Sequence, residues 1–277
     1  MKTHLKGDIY HMDWSAPLST VEGFENVSPG LQWAIIVVAG LIVLLAIFST
    51  IVSIWLAVKY VRYNRTMNKA GINGQETARR ILDNNDLQHI RVSVVGSFMF
   101  GNSYSHYFKK VRLRRLTVKK NSISSMAMGA QKASLAVLDK EGDPDMKTRI
   151  ILTPFIFFGP IAFIPIIIVG LLLDILLFGF TGLATVIAAA LGFAFYVLSF
   201  VLSIMVLKTE VKAQKKALEI LERDELATAD EREMMKELFK LYNIQYVNDI
   251  ILEFLELLLR ILMLVAKIQN SSSSNKN

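Results

Sequence analysis

The sequence predicts a mainly α-helical, polytopic membrane protein with three to four transmembrane helices and a small α+β cytoplasmic domain. Three observations predict this fold class. Hydrophobic residues make up 53% of the 277-residue chain, which is more than is usual for a soluble domain. Long stretches of the chain carry almost no charge, as membrane-spanning segments do. The net charge of +7 is also distributed unevenly, because basic residues cluster between the apolar stretches.

The first predicted span covers residues 31–58, where 28 consecutive residues carry no charge. A helix of that length exceeds the hydrocarbon core of a bilayer, which is roughly 30 Å thick. A cleaved signal peptide is the competing interpretation. The apolar block is too long for one, and it ends at Lys59 rather than at a small-residue cleavage site. We therefore expect residues 1–30 to be an extracytoplasmic segment that precedes a retained anchor.

Two further spans are predicted in the second apolar stretch, where Asp174 is the single charged residue among 58. We place them at residues 150–179 and 182–207, joined by a tight turn at Gly179–Gly182. Three prolines in the first of these predict that its helix is kinked or begins after Pro154.

The leucine-rich helix predicted at residues 242–268 is interrupted by five ionisable residues, which we call the polar stripe. Their spacing places them on one narrow helical face. The segment is either a spanning helix with that face turned to the bundle interior, or an amphipathic helix in the membrane interface. The mixed signs favour ion pairs such as Glu256 with Arg260 over an ion pathway. We expect residues 269–277 to be a disordered tail. The polar stripe consists of Asp249, Glu253, Glu256, Arg260 and Lys267.

The distribution of Lys and Arg predicts the orientation of the chain. Residues 1–30 contain two of them, whereas residues 59–149 contain 18 basic and 7 acidic residues. The positive-inside rule then places residues 59–149 in the cytoplasm and the N-terminus outside the cell membrane. Residues 208–241 return to the cytoplasm as a helical pair, in which Thr228 and Glu231 form a capping box that opens the second helix.

Hydrophobic periodicity and capping residues predict four elements in the cytoplasmic segment. We expect Asn121 or Ser122 to cap the last of them. The elements are a helix at Gly74–Asn85, strands at His89–Val95 and Lys109–Lys120, and a helix at Ser124–Leu138.

The second of these strands reads "KKVRLRRLTVKK" and has seven basic residues in twelve. Nucleic-acid binding is one hypothesis for such a run, but no aromatic residue that could stack on a base is interleaved within it. The strand is also tethered beside a bilayer. We therefore predict contact with anionic lipid headgroups and no nucleic-acid partner. The residues expected to make this contact are Lys109, Lys110, Arg112, Arg114 and Arg115.

The residue types in the chain exclude several kinds of active site. There is no cysteine, which excludes disulfides, thiolate metal sites and cysteine nucleophiles. The four histidines include no pair three or four residues apart. The sequence also contains no G-x-S-x-G elbow, no P-loop and no G-x-G-x-x-G motif.

The order of features resembles that of the YugP-like neutral membrane zinc metallopeptidases. The resemblance extends from about residue 31 to residue 268. It implies a zincin-like cytoplasmic domain, in which an HExxH helix and a further acidic residue hold a zinc ion. The stretches that carry it are "NGQETARRILDNNDLQHIRV" (Asn73–Val92), the pair His106–Tyr107, "EVKAQKKALEILE" (Glu210–Glu222) and "QYVNDIILEFLELLLRIL" (Gln245–Leu262).

The chain departs from that family at the residues that would hold the metal. "QKASL" stands where HExxH belongs, so that Gln131 and Leu135 replace the two histidines and Lys132 replaces the general base. The charge of Lys132 would repel a metal ion, and no histidine follows residue 106 to restore the motif. His106 and Glu210 are the residual candidate ligands, which are too few for a three-ligand catalytic zinc site.

We therefore predict an integral membrane protein without enzymatic activity or a cofactor, which acts as a scaffold or partner-binding pseudoprotease. Its expected partners are the bilayer and other membrane proteins. Two alternatives stay open. An active membrane zinc metallopeptidase would use atypical ligands such as His106 and Glu210, and a transporter accessory subunit would use the polar stripe.

Overall fold

The computed structural model describes residues 15–95, 101–177 and 182–274, with the backbone alone at 154–164, 196 and 271–274. The chain forms two compact units, Thr50–Ile250 and the pair of segments Met1–Ser49 and Ile251–Asn277. The described residues contain seven helices and three strands. These are α1 (Pro29–Arg65), α2 (Gly74–Asp83), β1 (Arg91–Val95), β2 (Ser103–Ser105), β3 (Lys110–Arg114), α3 (Arg115–Lys119), α4 (Ile123–Glu141), α5 (Pro144–Leu176), α6 (Leu183–Arg223) and α7 (Ala229–Ser274).

The prediction of a mainly helical protein with a small sheet is confirmed. Among the residues that the structure describes, α1 and α6 are long and apolar enough to cross a membrane, and the Pro165–Leu176 part of α5 is a shorter apolar segment. The predicted number of spans and the placement of residues 59–149 in the cytoplasm stay predictions.

Helix α4 lies at the centre of the Thr50–Ile250 unit. Its residues are buried almost along its whole length, and they pack against α2, the sheet and α6. The sheet has the order β1-β3-β2, with β3 parallel to β1 and antiparallel to β2. Val111 and Leu113 of β3 are fully buried in the same core, so the alternation of side chains along a strand turns the basic residues of β3 to the other face.

Local capping interactions explain where three of the predicted helices begin. Asn73 and Glu76 form a complete capping box at the start of α2. The side chain of Ser122 caps α4, as one of the two predicted alternatives. Thr228 and Glu231 form the predicted capping interactions before α7.

The long helices are more continuous than predicted. Helix α6 runs through the expected end of a span at residue 207, and α7 runs through the expected boundary at residue 241. The predicted boundaries marked changes in hydropathy, but no Gly or Pro interrupts either helix there, and Lys and Glu are good helix formers. Helix α7 also extends to Ser274, so the disorder predicted from residue 269 is wrong up to that residue. Residues 275–277 lie outside the described part of the chain.

Two further boundaries differ from the predictions. Helix α5 begins at Pro144 rather than after Pro154, because Asp143 caps it and a proline is tolerated in the first helical turn. The strand predicted at Lys109–Lys120 ends at Arg114, and α3 follows it. The buried alternation stops after Leu113, and the next buried side chain is that of Thr117 in α3.

Helices α5 and α6 pack closely through small residues. A Cβ atom added at Gly170 would lie 2.4 Å from the Cβ of Ala188. Asp174, the lone charge of the apolar stretch, accepts hydrogen bonds from the backbone N–H groups of Ala184 and Thr185 over 3.0 and 2.7 Å. It therefore caps the first turn of α6 from the neighbouring helix. Apart from Gly182, the predicted turn lies outside the described residues.

In the other unit, the segment before α1 folds back onto the start of that helix. The side chain of Gln32 accepts a hydrogen bond from the Leu18 N–H over 2.8 Å and donates one to the Val27 carbonyl over 2.9 Å. Val27, Ile35 and Ala266 form a small apolar cluster in this unit.

Candidate functional site

Glu210 of α6 is the centre of the candidate site, and two residues of the QKASL stretch contact it. Gln131 Nε2 donates to Glu210 Oε2 over 2.8 Å, and Lys132 Nζ donates to the same oxygen over 2.6 Å. Both donors lie on α4, 78 or more residues away along the chain. The structure thus brings together three of the predicted site residues.

Arg149 of α5 contacts the other oxygen of the Glu210 carboxylate. Its Nη2 donates to Glu210 Oε1 over 2.9 Å, and its Nη1 donates to Thr209 Oγ1 over 2.7 Å. We call Gln131, Lys132, Arg149, Thr209 and Glu210 the Glu210 cluster. It joins three helices, and both oxygens of the single carboxylate already accept charge-assisted hydrogen bonds.

The charges of the cluster keep Glu210 ionised. The side chains of Lys132, Arg149 and Glu210 are 11%, 16% and 17% exposed. Burial by itself raises the pKa of Glu210, but the neighbouring charges of Lys132 and Arg149 outweigh it and lower this pKa to about 2. With two cations and one carboxylate, the cluster carries one net positive charge.

Leu135 occupies the position where the resemblance places a second histidine. It is fully buried and packs with Leu138, Met146 and Ala213 in an apolar cluster. A side chain in that environment contributes to the free energy of folding through burial, and it offers no ligand to a metal.

His106, the other residual candidate ligand, contacts Asp139 at the end of α4. His106 Nδ1 lies 2.6 Å from Asp139 Oδ2, and the Tyr104 hydroxyl donates to the same oxygen over 2.6 Å. Burial and the bond to Asp139 raise the pKa of the Tyr104 hydroxyl. One alternative had His106 and Glu210 bind the same zinc ion. Among the described residues, no contact between the two side chains supports it.

The donor atoms of this site do not fit a zinc ion. Among residues 15–95, 101–177 and 182–274, no three His, Cys, Asp or Glu side chains cluster as metal ligands. The groups around Glu210 are an amide, an ammonium and a guanidinium, and the last two have no lone pair to donate to a metal. Zinc sites are built from imidazole, thiolate and carboxylate groups.

Lys212, two residues after Glu210 on α6, binds the start of α5. Its Nζ donates to Asp143 Oδ2 over 2.7 Å and also contacts Asp145. These two carboxylates raise the pKa of Lys212. Lys212 therefore forms ion pairs that join α6 to the start of α5.

The remaining predicted site residues form two groups, the basic residues in and around β3 and the polar stripe of α7. Lys109, Arg114 and Arg115 are exposed, and Lys110 and Arg112 are partly exposed. Within the polar stripe, Asp249, Glu256, Arg260 and Lys267 are exposed and Glu253 is partly buried. Asp249 accepts a hydrogen bond from Gln245 over 2.8 Å. In the described part of α7, the predicted Glu256–Arg260 ion pair does not form.

Sequence reasoning missed Arg149, Asp139 and Tyr104. A signal for Arg149 was present, because Arg149 and Glu210 flank the apolar stretch at residues 150–207. The two ends of a helical hairpin lie at the same level, so charges that flank it can meet. Asp139 follows Gln131 and Leu135 at intervals of four residues on α4, which places all three on one helical face.

A protein-family model described as "Putative neutral zinc metallopeptidase" matches residues 37–266. The predicted resemblance over most of the chain is therefore confirmed. No curated protein and no solved structure gives a significant match.

Proposed function

Because the chain belongs to this neutral zinc metallopeptidase family, we propose that it is a membrane-anchored pseudoprotease, which acts through binding rather than hydrolysis. The observation that carries the proposal is the convergence of Lys132, Arg149 and Gln131 on Glu210. The negative charge of Glu210, which the family resemblance assigns to a metal ion, is balanced here by two side chains.

The groups needed for hydrolysis are engaged in structural contacts. Lys132 takes the position of the general base, but it donates to Glu210 and offers no lone pair that could activate water. His106, the other residual candidate ligand, contacts Asp139 near the end of α4. The scaffold persists because packing holds α4 in the core independently of the chemistry that the site has lost.

The same proposal places the protein in the cell membrane as a multi-pass protein, with the N-terminus outside and residues 59–149 in the cytoplasm. The apolar helices α1 and α6 and the basic segment between the predicted spans support this topology. Other membrane proteins are the proposed binding partners, and anionic lipid is the proposed surface contact.

The contact with lipid is supported by the surface around β3. Tyr107 and Phe108 are 62% and 71% exposed beside the basic residues of the strand. The Tyr107 hydroxyl donates to the Ile150 carbonyl over 3.1 Å, where the second apolar stretch begins. Exposed aromatic and basic side chains at the end of an apolar helix are typical of the headgroup region.

Quantitative zinc analysis of the detergent-purified protein tests the loss of metal chemistry, together with cleavage of unfolded casein. We expect far less than one zinc ion per chain and no cleavage that a chelator abolishes. About one zinc ion per chain, with chelator-sensitive cleavage, would overturn the proposal.

Two variants identify the site if zinc is found. Zinc that is lost in both Glu210→Ala and His106→Ala would support the alternative of an active peptidase with atypical ligands. Zinc that both variants retain would be bound elsewhere, and the proposal would stand if cleavage is absent. A zinc peptidase purified and assayed in parallel is the positive control.

A further inference from the structure

Composition alone leaves the membrane placement of α7 undecided. In the described residues, length and hydropathy mark α1 and α6 as candidate spans but not α7, because the polar stripe interrupts its leucine-rich face. The contacts at the two ends of α7 indicate whether this helix crosses the membrane.

Near its start, α7 contacts the second half of α1 within the Thr50–Ile250 unit. Glu237 binds Lys59 Nζ over 2.6 Å and also accepts a hydrogen bond from the Tyr63 hydroxyl. Further along α7, Gln245 Oε1 accepts a hydrogen bond from Ser53 Oγ over 3.1 Å. The later residue of α7 contacts the earlier residue of α1, so the two helices are antiparallel in this unit.

Near its end, α7 contacts the residues that precede α1, within the other unit. Gln269 Oε1 accepts a hydrogen bond from the Ser28 N–H over 3.1 Å. Asn270 Oδ1 accepts hydrogen bonds from the backbone and the side chain of Asn26 over 3.1 and 3.2 Å. Ala266 packs in the apolar cluster with residues at the start of α1.

From these contacts we infer that α7 crosses the membrane antiparallel to α1. Helix α7 is continuous from Ala229 to Ser274, so it begins beside the end of α1 and ends beside its start. The segment from Gln245 to Gln269 is about 36 Å long at the rise of an α-helix, which exceeds a hydrocarbon core of roughly 30 Å. The inference rests on the part of the proposed function in which α1 crosses the membrane.

In this arrangement the apolar faces of α7 contact lipid, and the polar stripe lies within the bilayer. Glu253 and Glu256 lie between Gln245 and Ala266, whose contacts are at opposite ends of the apolar part of α1. These two carboxyl groups are therefore near the middle of the apolar layer, where ionisable side chains are rare and costly.

Single-cysteine labelling in intact cells tests the inference, because the native chain has no cysteine. The positions are Glu22→Cys before α1, Gln88→Cys after it, Glu233→Cys at the start of α7 and Ile268→Cys near its end, all of which are exposed. The probe is a membrane-impermeant maleimide. We expect Ile268→Cys to be labelled like Glu22→Cys, and Glu233→Cys to be labelled like Gln88→Cys only after permeabilisation.

Equal labelling of Glu233→Cys and Ile268→Cys would overturn the inference, as would equal labelling of Glu22→Cys and Gln88→Cys. The second result would also contradict the topology in the proposed function, whereas the zinc measurement would be unaffected by either.

Crosslinking with a short bismaleimide provides a second readout. We expect it to join Ser53→Cys with Gln245→Cys, and Asn26→Cys with Asn270→Cys. The mismatched pair Ser53→Cys and Ile268→Cys is the control, and its crosslinking to the same extent would contradict antiparallel packing.

Discussion

Glu210 carries its negative charge between three helices, where only 17% of its side chain is exposed to solvent. A buried carboxylate is costly unless cations and hydrogen-bond donors surround it. Lys132 and Arg149 provide the cations, and Gln131 provides a further donor. At this scale, the side chains that surround Glu210 compensate its buried charge and satisfy both of its carboxylate oxygens.

Removal of one cation should therefore destabilise the fold. We expect Lys132→Met to lower the free energy of unfolding by about 2 kcal/mol, because Glu210 loses a charge-assisted hydrogen bond in a poorly solvated place. Thermal unfolding in detergent measures the effect. Lys236→Met removes a lysine from an exposed ion pair on α7 and should change the stability by less than about 0.5 kcal/mol. Equal effects of the two substitutions would contradict a structural role for Lys132.

The lowered pKa of Glu210 predicts how this contribution depends on pH. A fall of the pKa from 4.5 to about 2 corresponds to roughly 3 kcal/mol of stabilisation. Because the folded-state pKa is the lower one, this stabilisation is fully present above pH 4.5 and is lost as the pH falls towards 2. The stability difference between the wild type and Glu210→Gln should therefore shrink over that interval. A difference in melting temperature that stays constant from pH 7 to pH 3 would contradict the assignment.

Helices α2 and α4 cross at two glycines, and their backbones touch there. A Cβ atom added at Gly129 would lie 2.2 Å from the Gly74 carbonyl oxygen, and one added at Gly74 would lie 2.5 Å from the Ser125 carbonyl oxygen. These contacts involve backbone atoms, which cannot move aside as a flexible side chain would. The position of α4, and with it that of Lys132, therefore depends on this crossing.

We expect Gly129→Ala to destabilise the protein by about 3 kcal/mol, because an added methyl group forces the two helices apart. Melting of the purified protein in detergent measures this cost. Gly40→Ala is the matched control, since Gly40 is also helical and has no atom within 4 Å of the added Cβ. That variant should keep or slightly raise the melting temperature. A tolerated Gly129→Ala would show that the crossing can relax.

Local features of the elements could be predicted from the sequence. The caps at Asn73, Ser122 and Thr228 involve residues at most three positions away, so a short stretch contains the whole interaction. The extents of α6 and α7 could not be predicted in this way, because a change from apolar to charged residues does not by itself end a helix.

The whole molecule depends on contacts between distant parts of the chain. The family resemblance identified Gln131, Lys132 and Glu210 as related positions, but it could not show that a lysine would bind the remaining carboxylate. The flanking positions of Arg149 and Glu210 indicated that their charges could meet, but the hydrogen bond between them depends on how α5 packs against α6. The pairing of α7 with α1 likewise joins residues at the two ends of the sequence.

Because the surface around β3 is basic, we predict that the thermal stability of the protein depends on the charge of the surrounding lipid. We expect anionic phosphatidylglycerol in nanodiscs to raise the melting temperature of the wild type. The variant K109Q/K110Q/R112Q should lose most of that increase, at about 1 kcal/mol for each basic residue near the membrane. High salt should reduce the effect in the wild type.

The variant K215Q/K236Q/K240Q removes the same number of charges from exposed positions on α6 and α7. It should respond to the anionic lipid as the wild type does. If both triple variants lose the response equally, net charge rather than the surface of β3 determines it.

In the proposed multi-pass topology, the contact of Asp174 with the first turn of α6 has a consequence for biogenesis. An aspartate that enters hydrocarbon alone has no partner for its charge, and its transfer is unfavourable. The N–H groups of Ala184 and Thr185 offer that partner only after α6 has followed α5 along the chain. The insertion machinery should therefore retain α5 until α6 has been synthesised, and it should release both into the lipid together as a preassembled hairpin.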